Sequence, residues 1–170
     1  MKQAVVLAPC KVNLTLDITR RRSDGYHEME MILLAADLCD RVTVTLHSGR
    51  GIRVECDDQM VPLDEGNLAV RAARIFYQRT GLPAQGTDIA IEKRIPMEAG
   101  LAGGSADAAA VLVALNALCG TGLPLEELEA MALPGKSGHP AQQHRKHQTD
   151  GHRPFPTFHK KSRLPVNCFQ

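Results

Sequence analysis

The sequence lacks the patterns that mark membrane, secreted and zinc-binding proteins. No stretch approaches the roughly 20 apolar residues of a membrane-spanning helix. The first apolar run, residues 4–8, is shorter than the core of a secretory signal, which takes about 7–15 residues. No C-x-x-C pair occurs among the five cysteines, at positions 10, 39, 56, 119 and 168. We therefore expect a cytoplasmic protein without a membrane segment, a zinc cluster or a disulfide scaffold.

The remaining composition is that of one soluble globular domain with an unusual end. The chain has 170 residues, of which 44% are hydrophobic and 23% are charged. Residues 1–132 hold 13 basic and 18 acidic side chains, whereas residues 133–170 hold 7 basic and 1 acidic. Five of the ten prolines and five of the seven histidines also lie in residues 133–170. We predict a folded domain over residues 1–132 and a disordered basic tail over residues 133–170.

The hydrophobic pattern predicts mostly strands first and helices afterwards. Strands are predicted where apolar residues alternate or run together, at residues 5–8, 12–16, 29–36, 42–46, 52–54 and 88–92. Helical periodicity is found at residues 66–81, 105–119 and 125–132. Ser105 is the predicted N-cap of the second helix, with Asp107 in its first turn. This order favours an α+β fold in which helices cover one face of a mixed, largely antiparallel sheet.

The strongest local signal is a glycine-rich turn between the strand at 88–92 and the second helix. Gly100, Gly103 and Gly104 let backbone N–H groups approach a bound anion with no side chain in the way. The helix start adds unpaired N–H donors and the positive end of the helix dipole. The pattern indicates phosphate binding. The alternative is a tight turn whose glycines serve close packing.

Two common phosphate-binding loops do not fit the sequence. The glycine spacing differs from the G-x-G-x-x-G of dinucleotide-binding folds. Gly135-Lys136-Ser137 is similar to the end of a P-loop, but Ala130 stands where that motif requires glycine.

Three motifs together resemble the GHMP small-molecule kinases. Their central glycine-rich motif is similar to Gly100-Leu101-Ala102-Gly103-Gly104-Ser105-Ala106-Asp107, and their N-terminal motif to Pro9-Cys10-Lys11-Val12-Asn13. The run Arg22-Ser23-Asp24-Gly25-Tyr26-His27-Glu28 resembles members that act on a cytidine-diphosphate-linked sugar alcohol. The resemblance covers residues 4–132. It implies the N-terminal domain fold of these kinases, which is like the second domain of ribosomal protein S5.

The resemblance implies an ATP-dependent kinase with Mg²⁺ as a cofactor. ATP would phosphorylate the 2-hydroxyl of 4-diphosphocytidyl-2-C-methyl-D-erythritol in non-mevalonate isoprenoid biosynthesis, a reaction that depends mainly on positioning and charge stabilisation. This small molecule is the expected partner, and neither nucleic acid nor a membrane is expected.

The same resemblance implies roles for individual residues. Lys11 would stabilise charge near the acceptor hydroxyl, and Ser105 would reach the magnesium ion or a phosphate oxygen. The implied ATP-binding residues are Asn67, Pro96, Met97, Glu98, Ala99, Gly100, Leu101, Ala102, Gly103, Gly104, Ser105 and Ala106. The implied substrate-binding residues are Asn13, Tyr26, His27 and Lys93, of which Tyr26 and His27 would hold the cytosine.

The chain departs from the family after residue 132. Gly138 stands where the catalytic aspartate is expected, and neither Asp107 nor Asp150 is predicted to replace it. No second domain is recognisable in residues 133–170, so we expect little or no turnover. A shifted reading frame or truncated gene would explain this, and a genuine basic tail is the alternative. Two other functions stay open: a different GHMP small-molecule kinase, and a non-catalytic RNA-binding module with salt-dependent affinity.

Overall fold

A four-stranded sheet and three helices make up the part of the chain that the structure describes. The structure is a computed structural model and describes residues 1–21 and 27–132. Its strands are β1 (Lys2–Arg21), β2 (His27–His47), β3 (Ile52–Cys56) and β4 (Gly86–Glu92). Its helices are α1 (Leu68–Thr80), α2 (Gly103–Cys119) and α3 (Leu125–Ala132). Within these residues, no helix is long and apolar enough to span a membrane. The predicted tail, residues 133–170, lies outside the described residues.

The strand order in the sheet is β1-β2-β4-β3. β1 pairs with β2 and β2 pairs with β4 in antiparallel fashion, whereas β3 runs parallel to β4. The connection between the parallel strands contains α1, as expected for a crossover that must return to the same sheet edge. The predicted α+β class with a mixed, largely antiparallel sheet is confirmed.

β1 and β2 are each one long strand, where the sequence predicts two separate segments. Pro9 interrupts the first segment and has no backbone N–H to donate. A proline is tolerated there because β1 lies at the sheet edge. Register shifts between Pro9 and Cys10 and between Asn13 and Thr15 absorb the irregularity, so pairing with β2 continues to Arg21.

One face of the sheet packs against the helices. The strands contribute alternate residues to this buried face: Ala4, Val6, Ala8, Val42, Val44, Leu46, Ile89 and Ile91. Phe76 of α1 and Val111 and Leu115 of α2 are fully buried against them. Burying a side chain of this size contributes roughly 1.5–3 kcal/mol. The packing explains why α2 is apolar on nearly every side.

Past Lys11, β1 and β2 extend beyond the helices as a two-stranded ribbon. Apolar side chains on this ribbon are about half exposed: Leu14, Leu16, Ile18, Ile32, Leu33 and Leu34. A concentration of exposed apolar residues is typical of a surface that contacts another domain or molecule. The ribbon, rather than the helix-covered sheet, is therefore the part of the described fold with unsatisfied apolar surface.

Candidate functional site

The glycine-rich loop between β4 and α2 has a strained backbone. Gly100 has a φ of 72°, which glycine adopts without a steric penalty. Glu98 and Ala102 also have positive φ, at 58° and 61°, and among the described residues they are the two non-glycine residues that do. A left-handed conformation costs such residues roughly 1–2 kcal/mol. Backbone strain of this kind clusters at ligand-binding sites, where the surrounding structure enforces it.

α2 begins two residues earlier than the sequence predicts. Its first residue is Gly103 and its N-cap is Ala102, so the prediction that Ser105 caps the helix is wrong. Asp107 consequently lies beyond the first turn, which has no acidic residue. The left-handed Ala102 turns the chain directly into the helix, and no side chain of the described residues caps it. The N–H groups of the first turn therefore remain available to an anion.

The two glycines that open α2 differ in their surroundings. A Cβ atom added at Gly103 would lie 3.0 Å from Ile95 Cγ2 and 3.1 Å from Lys93 Nζ. A Cβ atom added at Gly104 would meet Leu68 Cδ1 at 3.6 Å, an ordinary contact. Gly103 therefore allows close packing of the helix start on the end of β4. Gly104 faces space that a ligand could enter.

The N-terminal motif meets this loop. The backbone N–H of Lys11 donates to the carbonyl oxygen of Leu101 at 3.0 Å. The ammonium of Lys11 donates to Asn13 Oδ1 at 3.1 Å, so the two side chains lie together on β1. The structure thus brings the backbone of Lys11 to the glycine-rich loop, although about 90 residues of sequence separate the two. Asn13 lies beside the ammonium of Lys11.

Asn67 caps α1 and is buried, with 6% of its surface exposed. Its Oδ1 accepts a hydrogen bond from the N–H of Ala69 at 2.9 Å, and its Nδ2 donates to the carbonyl oxygen of Pro62 at 2.8 Å. Both polar atoms of the amide are engaged within the chain. The structure therefore gives Asn67 a capping role, and its part in ATP binding stays a prediction.

Lys93 forms a buried ion cluster with two aspartates. Its ammonium is buried between Asp40 Oδ2 and Asp107 Oδ2, at 3.0 Å from the latter, and 4% of its side chain is exposed. It lies directly beneath Gly103, and Asp40 is thirteen residues along β2 from His27. Lys93, which the resemblance implies to be substrate-binding, is thus paired with two buried carboxylates at the foot of the loop.

The pKa values of this cluster follow from burial and pairing. Burial, opposed by Lys93, raises the pKa of Asp107 from 3.8 to about 6. Burial also acts upwards on Asp40, but hydrogen bonds from the backbone N–H groups of Arg94 and Ile95 and from Lys93 outweigh it and lower its pKa. Burial disfavours the charged form of Lys93, yet its two carboxylate partners raise its pKa. Lys93 is therefore charged at neutral pH.

The predicted cytosine-binding pair is described only in part. Tyr26 lies outside the described residues. His27 is exposed at the start of β2, at the tip of the ribbon. Lys11 pairs with Ala35, which is eight residues from His27, so the two predicted site residues are separated by at most about 27 Å along the strand.

No group of three or more potential metal ligands from His, Cys, Asp and Glu occurs in residues 1–21 and 27–132. Ser105, the predicted magnesium contact, is exposed in the first turn of α2. The position predicted for the catalytic aspartate, Gly138, lies outside the described residues. The described part of the site therefore offers backbone donors, a lysine and a hydroxyl, but no carboxylate cage.

Sequence reasoning missed the roles of Asp40 and Asp107. Each of these aspartates stands at a position where the hydrophobic pattern predicts a buried residue. Asp40 is in phase with Val42, Val44 and Leu46, the buried positions of β2, and Asp107 is in phase with Val111 on α2. A carboxylate at a core position requires a partner, because a buried charge is costly unless it is paired.

Comparison with known proteins agrees with this architecture. Residues 67–144 match the family described as the GHMP kinases N terminal domain. The chain is 50% identical over 128 residues to a 4-diphosphocytidyl-2-C-methyl-D-erythritol kinase of Geobacter metallireducens, covering 75% of this chain and 45% of that protein. It is 48% identical over 126 residues to the protein of the same name from Shouchella clausii, covering 74% and 42%.

A solved structure shows the same relationship. The crystal structure of a 4-(cytidine 5'-diphospho)-2C-methyl-D-erythritol kinase superposes with a TM-score of 0.65 and 41% identity, covering 75% of this chain and 45% of that one. The chain spans less than half the length of the curated relatives named here. Its motifs, its fold and these matches show that it belongs to the GHMP kinase family, whose N-terminal domain it carries.

Proposed function

We propose that this chain carries the ATP-binding part of a kinase that phosphorylates the 2-hydroxyl of 4-diphosphocytidyl-2-C-methyl-D-erythritol. The observation that carries the proposal is the hydrogen bond between the backbone N–H of Lys11 and the carbonyl oxygen of Leu101. It joins the lysine motif to the glycine-rich loop, so a phosphoryl donor and a cation that stabilises the transferring group would share one site.

The loop fits the phosphates of ATP. The first-turn N–H groups of α2 have no side-chain cap among the described residues, and the positive end of the helix dipole lies there. A Cβ atom at Gly104 would have only one close neighbour, at 3.6 Å, which leaves room for an anion over the loop. Gly103, Gly104 and Ser105 would hold the phosphate oxygens through their backbone N–H groups.

Magnesium would be held mainly by ATP itself. Mg²⁺ commonly keeps several waters and binds substrate phosphates together with one or two protein ligands. Ser105, exposed beside the loop, is the protein group that would reach it. When bound, the ion would neutralise charge on the transferring phosphate.

Lys11 would supply positive charge on the acceptor side of the site. Its ammonium is oriented by Asn13 Oδ1 at 3.1 Å, so Asn13 serves as a positioning residue for Lys11 as well as a proposed contact for substrate phosphate. His27, which begins β2, would bind the cytosine, and Tyr26 is the second residue proposed for this role. No general base is assigned within the described residues, and turnover by this chain is expected to be low.

Calorimetric titration of the full 170-residue chain tests the proposal. We expect MgATP to bind, and a cytidine-diphosphate-linked ligand to bind more tightly than its uridine analogue. Lys11→Met should weaken the diphosphate-linked ligand at least several-fold and leave ATP affinity unchanged. Lys2→Met is the matched control. Lys2 is exposed at the start of β1, and its ammonium donates to the carbonyl oxygen of Leu118 on α2, away from the glycine-rich loop. Absence of ATP binding, together with steep salt-dependent affinity for RNA, would instead support an RNA-binding module.

A further inference from the structure

Three buried charged side chains lie at the foot of the glycine-rich loop. Lys93 follows β4, Asp40 belongs to β2 and Asp107 belongs to the second turn of α2. Asp40 is fully buried, and Asp107 is 4% exposed. The ammonium of Lys93 contacts one carboxylate oxygen of each. We call these three residues the charged cluster.

The charged cluster holds both ends of the loop. At the entry, Asp40 Oδ1 accepts hydrogen bonds from the backbone N–H groups of Arg94 at 2.6 Å and Ile95 at 2.8 Å. At the exit, Asp107 Oδ2 accepts from the Lys93 ammonium at 3.0 Å, which ties α2 to the end of β4. Gly103 lies so close to Lys93 and Ile95 that a Cβ atom would collide there. The seven loop residues, 96–102, therefore connect two segments, the end of β4 and the start of α2, which are both held by the charged cluster.

The charged cluster costs free energy of folding if its sole role is to stabilise the fold. Two carboxylates face one ammonium, and Asp107 Oδ1 has no hydrogen-bond partner among the described residues. Buried ion pairs often contribute no more to stability than apolar residues of the same size would. A neighbouring carboxylate, Asp57, accepts from the backbone N–H of Lys93 at 2.7 Å and adds further negative charge nearby. Positioning of the glycine-rich loop explains the charged cluster better than a contribution to stability does.

We propose that Lys93 and Asp107 are positioning residues, which set the glycine-rich loop and the first turn of α2 in the arrangement that binds phosphate. Asp40 anchors them by holding the backbone at the loop entry. The inference rests on the proposed function for its phosphate ligand. It concerns residues that would not touch that ligand, since the side chains of all three are buried.

Two backbone amides report the position of the loop without any ligand. The N–H of Lys11 donates to Leu101 O within the loop, and the N–H of Ala106 donates to Ala102 O at the start of α2. If the loop shifts, both hydrogen bonds weaken and both amides exchange faster with solvent. The amide of Leu115, in the buried middle of α2, reports unfolding of the helix as a whole.

The matched variants are Asp107→Asn and Asp107→Leu in the full chain. Asn and Leu have nearly the same shape as Asp, but only Asn keeps an oxygen that can accept from Lys93. We expect Asp107→Leu to accelerate exchange at Lys11 and Ala106 at least tenfold relative to Leu115, and Asp107→Asn to stay within about threefold of wild type. Lys93→Met should act like Asp107→Leu. Arg71→Met, which removes an exposed cation from α1, should change nothing.

ATP affinity separates the inference from the proposed function. If wild type binds MgATP, Asp107→Leu should bind at least tenfold more weakly, and the double variant Lys93→Met/Asp107→Leu should recover stability without recovering affinity. If wild type binds no ATP, the proposed function fails, while the exchange data still decide the positioning role. Unchanged exchange at Lys11 and Ala106 in Asp107→Leu would overturn the inference. So would acceleration equal to that at Leu115, which indicates general destabilisation only.

Discussion

Alanine substitutions at the two glycines that open α2 separate close packing from phosphate binding. At Gly103 the new Cβ atom would lie 3.0 Å from Ile95 Cγ2 and 3.1 Å from Lys93 Nζ, so one of these groups must move. At Gly104 it would lie 3.6 Å from Leu68 Cδ1, and nothing must move. The same chemical change is thus made at adjacent positions, with a steric conflict at only one of them.

The expected effects on stability follow from two opposed contributions. Alanine is favoured over glycine in a helix by up to about 1 kcal/mol. Overpacking a filled site costs roughly 1–3 kcal/mol. Gly104→Ala has only the gain, so its free energy of unfolding should rise by up to about 1 kcal/mol. Gly103→Ala has both contributions, so its free energy of unfolding should fall by up to about 2 kcal/mol.

Urea unfolding followed by circular dichroism measures both variants, and calorimetry measures their affinity for MgATP. If phosphate lies over the first turn, the methyl group of Gly104→Ala obstructs it, and affinity should fall about tenfold in a protein that is no less stable. Equal stability of the two variants would refute the packing role of Gly103. Unchanged ATP affinity in Gly104→Ala would refute phosphate binding at that glycine.

Three further substitutions test other parts of the loop and its supports. Asn67→Ala should lower the free energy of unfolding by about 1 kcal/mol through loss of the α1 cap, and Asn67→Asp should restore most of it; loss of ATP affinity in Asn67→Asp at retained stability would instead indicate an adenine contact. Ala102→Gly should stabilise by up to about 1 kcal/mol in the same urea assay, because it relieves a left-handed alanine. The pKa of Asp107, about 6 in the folded protein against an ordinary 3.8, means that the folded state binds this proton more tightly than the unfolded chain. Its contribution to stability is therefore greatest below about pH 4 and is lost as the pH rises towards 6, so unfolding curves across this range should show Asp107→Asn gaining on wild type, by at most about 3 kcal/mol.

Sequence patterns correctly predicted the elements that depend on neighbouring residues alone. The alternation of Val42, Val44 and Leu46 marks the buried half of β2, and Gly81 ends α1 in the left-handed conformation, at a φ of 68°. The continuity of β1 through Pro9 was not predictable in this way. It depends on β1 lying at an edge of the sheet, and edge position is a property of the assembled topology.

The start of α2 shows how a local rule can point to the wrong residue. Serine is a preferred N-cap, and Ser105 precedes a run of alanines, so the residue preference places the helix start there. Ala102 takes the position instead, with no capping side chain. Gly103 leaves room for the helix start to lie close to Ile95 and Lys93, and this approach joins segments that the sequence does not show to be neighbours.

The motif resemblance implies which residues form the site, whereas the partners of each residue are visible only in the structure. The backbone N–H of Lys11 reaches the glycine-rich loop, because β1 is paired along its whole length and its position is set by the sheet. Lys93 has a residue type that suits a substrate phosphate, but its partners are Asp40 and Asp107, and only tertiary structure supplies them. A residue's type limits its chemistry, and its partners decide which part of that chemistry is used.

Packing and the proposed phosphate binding, which the sequence presents as alternatives for the glycine-rich loop, are compatible in the structure. Gly103 lets the helix start approach Lys93 and Ile95 closely, and the first-turn N–H groups beside it have no side-chain cap among the described residues. A larger residue at 103 would push the helix start away from the charged cluster and turn the same donors out of position. Gly103, which would touch no ligand, would therefore be required for Gly104 to contact the phosphate.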